Sequence, residues 1–467
     1  MICVARQSDF GFPSASIGSG RRAHLIGAGG AGMRSLAEVL ARDGWQLTGS
    51  DAAAGSGSTW NRRVTPGGGI DRSLDLVIHS DAVPADDRQR DQAAALGVPT
   101  ISYPVALGRL VAQRRGLAVA GTHGKSTTAA MLARILGAAG ADPSFVFGAE
   151  YQDASPGGGR GQGEWMIAEA CEYRENFRHL RPEMAVLLGI EADHFDYYHS
   201  WAQLEGAFTR LVAALPSEGR LLLAADCARA RRVARAAACP CETFGLGIAS
   251  EADWQADVER VVAGRHSFAV RRGGRMLGRI ELAVPGRHNV VNALAAIAAA
   301  HHAGASWQGI RQGLVTFCGL RRRLETVADR SGMAVIDDYA HLPTEIAASL
   351  AAVRQMYPGR RLWCVFQPHQ ASRTAHLLDE LATSLQNADN LVVAEIFRAR
   401  EGVARPGEVR AADLARRAAG LGAAVVDAHA VDEIRSILER SLKAGDVVVT
   451  LGAGDIGNLA HGIAQGI

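Results

Sequence analysis

The chain is almost without lysine. Of the 50 basic residues in its 467, only Lys125 and Lys443 are not arginine, so wherever a lysine stands its chemistry is worth explaining. It also lacks net charge. The 50 basic residues face 48 acidic ones, and no long basic run stands apart from acidic neighbours, which gives no footprint for nucleic acid. No uninterrupted apolar run approaches the ~20 residues that span a bilayer. The first residues, MICVARQSDFGFPSASIGSGRR, turn polar after a very short apolar start and read as a tail, not as a signal peptide. The seven cysteines are odd in number and show no paired CxxC spacing, which excludes a disulfide framework and a zinc site. Cys239-Pro240-Cys241 is the one close pair and reads as two ordinary thiols. This usage points to the cytoplasm.

What is present is the composition of a soluble globular chain, 48% apolar and 21% charged. At roughly 150 residues per domain the length predicts about three domains. Short apolar runs alternate with helix-patterned stretches, as in α/β folds with parallel sheets. Strands are expected at His24–Ile26, Leu74–His79, Leu117–Ala120, Met166–Ala168, Ala185–Leu188, Val335–Ile336, Leu362–Phe366, Leu391–Ala394 and Val447–Leu451. Helices are expected at Ala31–Asp43, Asp86–Leu96, Lys125–Ala138, Ser200–Leu215, Val290–Ala303 and Pro343–Met356. Between Asp257 and Val284 the period falls towards two around Gly273-Gly274, which predicts an antiparallel hairpin. The run from Gly157 to Gly161 reads as a flexible loop. The expected domains are 20–112, 113–319 and 320–467.

The sharpest motif is Gly121-Thr122-His123-Gly124-Lys125-Ser126-Thr127-Thr128, between a strand and a helix. Glycine lets phosphate oxygens approach bare N–H groups, and the helix N-terminus adds positive potential. Lys125 supplies a point charge for the β/γ-phosphates, and the Ser126 hydroxyl suits Mg²⁺. Val119 stands where the full phosphate-loop pattern wants glycine, so the loop is shortened. Gly27-Ala28-Gly29-Gly30-Ala31-Gly32, followed at dinucleotide spacing by Asp51, also marks phosphate near a helix N-terminus.

Glu169 and His194 each follow a predicted strand and could turn towards the phosphate loop as cation ligands, His194 being the less usual one for magnesium. His288, Asn289 and Asn292 open a helix, with amides able to match an adenine edge. Arg321-Arg322-Arg323 lies at the second domain boundary and could carry a guanidinium onto a transferring phosphoryl group. Asp337-Asp338-Tyr339-Ala340-His341 and His369-Gln370-Ala371-Ser372-Arg373 follow strands of the last domain, where substrate sites belong.

The order of these motifs resembles that of the Mur ligase family, and most of all its alanine-adding branch. The likeness runs from about His24 to the C-terminus through GAGGAGM, GTHGKSTT, IEADHFDYY, GRHNVVNALAAIA, GLRRRLE, DDYAHLPTEI, VFQPHQASRT and LGAGDIG. It implies a Rossmann-like N-terminal domain for a UDP-sugar, a central ATPase domain and a Rossmann-like C-terminal domain for ATP and the amino acid. It implies ATP-dependent joining of L-alanine to UDP-N-acetylmuramate through an acyl phosphate. That step serves peptidoglycan precursor synthesis and, with it, cell-wall biogenesis, cell shape and cell division. Magnesium is the implied metal.

By motif match, Gly121, Thr122, His123, Gly124, Lys125, Ser126 and Thr127 would hold phosphates. Ser126, Glu169 and His194 would place magnesium. His288, Asn289 and Asn292 would face the adenosine. Arg322 would reach the γ-phosphate, and Asp337 or Asp338 the ribose. Tyr339, His369 and Arg373 would surround the amino acid, with His341 among the catalytic groups. Gly27, Gly29, Gly30, Gly32, Asp51 and Ser80 would bind the UDP-sugar. The carbamylated lysine of several relatives has no counterpart, since no lysine lies between 125 and 443. Departures from the family pattern are Cys171, Gly189, Leu342 and Gln370. The alternatives are another amino acid or a recycled peptide as acceptor and, further off, a nicotinamide-dependent oxidoreductase built on GAGGAG. Lys125 is expected to serve the ligand and not the fold.

Overall fold

The computed structural model describes residues 21–52, 63–247, 251–330, 332–399 and 401–466. The expected N-terminal tail lies almost wholly outside the described residues. The elements form three sheets. The first is five-stranded and all parallel, in the order Val64–Pro66, Gln46–Ser50, Arg22–Ile26, Leu76–His79, Thr100–Ser102. The last is six-stranded and parallel except for Glu325–Arg330, which pairs antiparallel with Met333–Asp338 at one edge.

The middle sheet has ten strands, with Arg115–Ala120 beside Met184–Leu187 and Trp165–Glu169 at its centre. These three strands are buried nearly throughout and read as continuous apolar runs, as parallel strands covered on both faces must. Helices Lys125–Ala138 and Arg287–His302 cover one face with Ala, Leu and Ile.

Two expectations are revised. The antiparallel hairpin around Gly273-Gly274 is present, and a further strand extends it to a three-stranded meander, Trp254–Val262, Arg265–Arg272 and Arg275–Pro285, with another turn at Ala263-Gly264. It continues the parallel sheet through Trp254 beside Phe244 and is no separate region. The first turn was hidden because Val261-Val262-Ala263 is apolar where turns are usually polar.

The second correction concerns the glycine run. Gly158–Gly159 is a buried strand paired with Ser144–Val146, not a flexible loop. Any Cβ on Gly158 would overlap the Ser35 backbone of helix Ala31–Arg42, while the Ser35 hydroxyl donates to the Phe147 carbonyl at 2.7 Å. Glycine is there for close approach, not for freedom.

The cores show how the three units join. One apolar cluster runs without a break from Leu36, Leu110 and Val111 of the first unit to Ala168, Phe177 and Leu204 of the second. The clusters of the last unit contain only residues from Leu324 onward. The first two units therefore share buried apolar surface, and the third keeps apolar clusters of its own. Among the described residues no helix is long and apolar enough to cross a membrane.

Candidate active site

Parallel strands end together, so their C-terminal loops converge on one crevice. The loop from Gly121 to Gly124 leaves the central strand and enters helix Lys125–Ala138. Gly124 has φ +75°, and a Cβ there would press on the Asn292 amide, so only glycine fits. The loop is stitched to the next strand's exit: Thr122 N–H donates to the Gly189 carbonyl at 2.9 Å, and Glu191 N–H to the Thr122 hydroxyl at 2.9 Å. A backbone carbonyl does this work at Gly189, so its missing side chain costs the loop nothing.

Lys125 Nζ donates to the carbonyls of Gly121 and Thr122 at 2.6 and 3.0 Å and pairs with Glu172 at 2.9 Å. Burial alone would lower its pKa, but the carboxylates of Glu172 and Glu169 raise it, so the ammonium is kept charged. The Ser126 hydroxyl donates to Glu169 at 2.8 Å, which also accepts Gly148 N–H at 2.7 Å. His194, at φ +55°, stands 3.8 Å from Glu172 and 3.7 Å from Asp193, with Nδ1 buried and unpaired. Ser126 and Glu169 thus touch, while His194 joins them only through Glu172 and Lys125. Cys171 is a neutral thiol, pushed up to about 12 by burial and by Glu172.

Beside the loop lies a cavity of about 220 Å³ between the second and third units. His123, Gly124 and Thr127 form one side, His288, Asn289 and Asn292 the next, and Arg323, Asp338 and Glu345 the third. Asn289 donates to the Pro285 carbonyl at 2.7 Å and accepts from Asn292 at 3.1 Å, which fixes both amides. Burial pushes His288 down to about 4, leaving a neutral ring.

The third unit decides which of Asp337 and Asp338 faces the cavity, and it turns Arg322, expected at the γ-phosphate, away from it. Asp337 is fully buried, bonded by Thr450 at 2.7 Å and 3.3 Å from Arg322 Nε. Asp338 is the one lining the cavity; burial pushes it up to about 6, against the Ser349 hydroxyl and Ala340 N–H that hold it. Arg322, at φ +56°, is turned away onto Asp337 and the Gly452 carbonyl at 2.7 Å, and Arg323 lines the cavity in its stead. Both guanidinium groups lie over the Tyr339 ring, at 5.1 and 4.9 Å.

His341 donates Nδ1–H to the Tyr339 carbonyl at 3.0 Å, which leaves Nε2 as an acceptor, and burial pushes it down to about 4. It packs on His369, which stacks in turn on Phe397. Arg373, 3% exposed, donates from Nε and Nη2 to Asp193 Oδ1 at 2.9 and 2.6 Å, with Nη1 2.7 Å from His369. Gln370 is buried with its amide nitrogen unpaired. Leu342 is buried, and its N–H and that of His341 are taken by Glu345.

The glycine run of the first unit joins strand Arg22–Ile26 to helix Ala31–Arg42. Gly27 and Ala28 donate to the Ser50 carbonyl, Gly30 caps helix Ala31–Arg42, and Gly32 abuts Tyr103. Ser80 lies against Gly27, and Asp51 accepts Gly29 N–H at 2.8 Å. Sequence reasoning passed over Glu172, Glu191, Asp193, Arg323 and Glu345 as site residues. Only adjacency to a motif could have flagged them, because each earns its place through a partner remote in sequence.

Fold and site together define a three-sheet α/β protein with a phosphate loop facing a cleft between units. Models of the Mur ligase family, catalytic domain (residues 22–115), the Mur ligase middle domain (119–300) and the Mur ligase, glutamate ligase domain (322–454) all match, and the chain belongs to the Mur ligase family. It is 38% identical over 450 residues to the UDP-N-acetylmuramate–L-alanine ligase of Chromobacterium violaceum, covering 93% of this chain and 96% of that one. The protein of the same name from Desulfitobacterium hafniense is 37% identical over 442 residues, covering 93% and 97%. Among solved structures, UDP-N-acetylmuramate-alanine ligase MurC from Thermotoga maritima superposes with a TM-score of 0.79 at 23% identity, over 95% of this chain and 98% of that one. A murein peptide ligase from Psychrobacter arcticus gives 0.71 at 27%, over 96% and 98%.

Proposed function

We propose that this chain joins L-alanine to the carboxylate of UDP-N-acetylmuramate at the expense of ATP, in peptidoglycan precursor synthesis in the cytoplasm. One observation carries the reading: a phosphate loop that holds Lys125 charged borders a cleft closed by a third unit that brings its own arginine and carboxylates. The units divide the work as 20–112 for the UDP-sugar, 113–319 for ATP and 320–467 for the amino acid.

The carboxylate oxygen attacks the γ-phosphorus, and ADP leaves with the bridging oxygen. The amine then attacks the acyl carbon, and the tetrahedral intermediate expels phosphate and releases a proton. No enzyme nucleophile is required; catalysis is positioning and charge neutralisation. Lys125 and the N–H groups of the loop from Gly121 to Thr127, apart from that of Thr122, which the Gly189 carbonyl takes, hold the phosphates, and Arg323, with Arg322 behind it, neutralises developing charge. His288, Asn289 and Asn292 take the base, and Asp338 the ribose. His341, with Nε2 unprotonated, orients the attacking amine beside Tyr339, His369 and Arg373.

Magnesium fits the oxygen pair Ser126–Glu169, with His194 and the Lys125-paired Glu172 carboxylate close by. When bound it would screen the phosphate charges. Gly27, Gly29, Gly30, Gly32, Asp51 and Ser80 shape the UDP-sugar crevice.

The test is ADP release by purified protein. Release that requires both UDP-N-acetylmuramate and L-alanine supports the reading. Release with a different amino acid or a short peptide, and none with L-alanine, moves the acceptor. No release with any acceptor removes the reading.

A further inference from the structure

The buried apolar clusters of the third unit take in nothing from the other two, so polar groups carry much of the seating. Beside the stack of Phe195 on His376, three polar contacts cross the joint around the cleft. Arg373 meets Asp193, Thr344 donates to Glu191 at 2.6 Å, and His123 Nδ1 lies 2.9 Å from Glu345 Oε1. Only the third of these starts on the phosphate loop itself.

The ring of His123 has a carboxylate at each end. Besides Glu345 at Nδ1, Glu191 Oε2 stands 3.1 Å from Nε2, as an ion pair outside hydrogen-bond geometry. Carboxylates only accept, so a neutral imidazole could serve one of the two and would turn a lone pair towards the other. The charges are lopsided without it. Glu191 and Glu345 face each other across the ring, with Arg323 the cation on Glu345's far side and a neutral His341 beyond.

We propose that His123 is a positioning residue: as an imidazolium clamped between Glu191 and Glu345, it docks the third unit onto the phosphate loop. Burial opposes the charge, but the two carboxylates outweigh it and raise the ring to about 10. Glu345 passes the constraint on, since its other oxygen accepts the N–H groups of His341 and Leu342 at 3.1 and 3.3 Å. The loop that grips phosphate and the segment that presents His341 are thereby one mechanical unit. The inference rests on the ligase reading for its kinetic consequence alone.

The test is amide hydrogen exchange of the full-length protein without substrates, following segments 189–194 and 339–349. His123→Ala should speed exchange in both by at least tenfold, with exchange in the first unit unchanged. His123→Asn keeps one N–H donor and should fall between Ala and wild type. Adding Glu191→Gln to His123→Ala removes the like-charge pair and should recover part of the protection, which a merely space-filling histidine would not allow. Unchanged exchange in 339–349, or further loss on adding Glu191→Gln, overturns the proposal. In ADP release, His123→Ala should raise the KM for the amino acid about tenfold and shift the KM for ATP less. A wild-type protein with no ADP release would sink the ligase reading and leave the exchange result to decide the clamp.

Discussion

Arg373 and Asp193 lie 180 residues apart and meet across two units, two guanidinium nitrogens on one carboxylate oxygen, both side chains less than a tenth exposed. Asp193 adjoins His194, so the same carboxylate braces the third unit and the edge of the phosphate site. Burial would raise its pKa, yet His194 and Arg373 hold it well below the usual carboxylate range.

Arg373→Ala strips a buried carboxylate of its counter-charge, a change that costs about 3–5 kcal/mol where both partners are buried. Steady-state kinetics should show the amino-acid KM raised more than tenfold and kcat lowered as well. Arg373→Lys should not rescue, because one ammonium cannot replace two nitrogens of a planar fork. An unchanged KM would mean that this ion pair does not position the amino acid.

Lys125→Ala should lower ATP turnover about 1000-fold, on the scale of lost transition-state charge stabilisation. The structure also corrects the expectation that Lys125 serves only the ligand, because Glu172, 2% exposed at its side chain, relies on it. The melting temperature should therefore fall. Lys125→Ala with Glu172→Gln should restore the melting temperature and leave turnover lost. Recovery of both would remove Lys125 from the chemistry.

Asp338 sets a pH dependence of stability. Its folded pKa of about 6 exceeds the ordinary 3.8. As pH rises through 4 the unfolded carboxyl ionises and the buried one does not, so stability declines from about pH 4 to about pH 6 and then levels. About two units correspond to at most roughly 3 kcal/mol. Asp338→Asn should cancel this decline. Melting curves of the two proteins should diverge over that window and run parallel above it. A gap independent of pH would refute the assignment. ATP affinity should drop about tenfold on losing charge-assisted bonds to the ribose.

Gly158→Ala probes the joint between the first two units. Its Cβ has no room against the Ser35 backbone, and overpacking of this kind costs about 1–3 kcal/mol. The melting temperature should fall by about 2–4 °C per kcal/mol. Gly163→Ala, whose Cβ would strike the Ala141 carbonyl within the central unit, should destabilise without changing exchange in helix Ala31–Arg42. If Gly158→Ala leaves that helix's exchange unchanged, the joint is not built on this contact.

The sequence by itself determined the architecture. Helices Lys125–Ala138 and Pro343–Met356 and strands Leu362–Phe366 and Val447–Leu451 begin and end where the pattern puts them, because periodicity and glycine, proline and strand chemistry act locally. The phosphate loop was legible for the same reason: its function lies in consecutive residues. Only the tertiary structure decided which of two neighbours faces the cleft, Asp338 over Asp337 and Arg323 over Arg322, since adjacent residues of a strand or tight turn point opposite ways and two like residues in a row do not say which way each points. Only it showed that Gly157 to Gly161 is packed and not loose, because glycine permits both freedom and close approach, and the partner that settles the matter, Ser35, is remote in sequence. The ion pairs that seat the third unit, Arg373 on Asp193 and His123 on Glu345, share that character: no local pattern marks which residues pair, and coulombic attraction acts on distance in space, not along the chain.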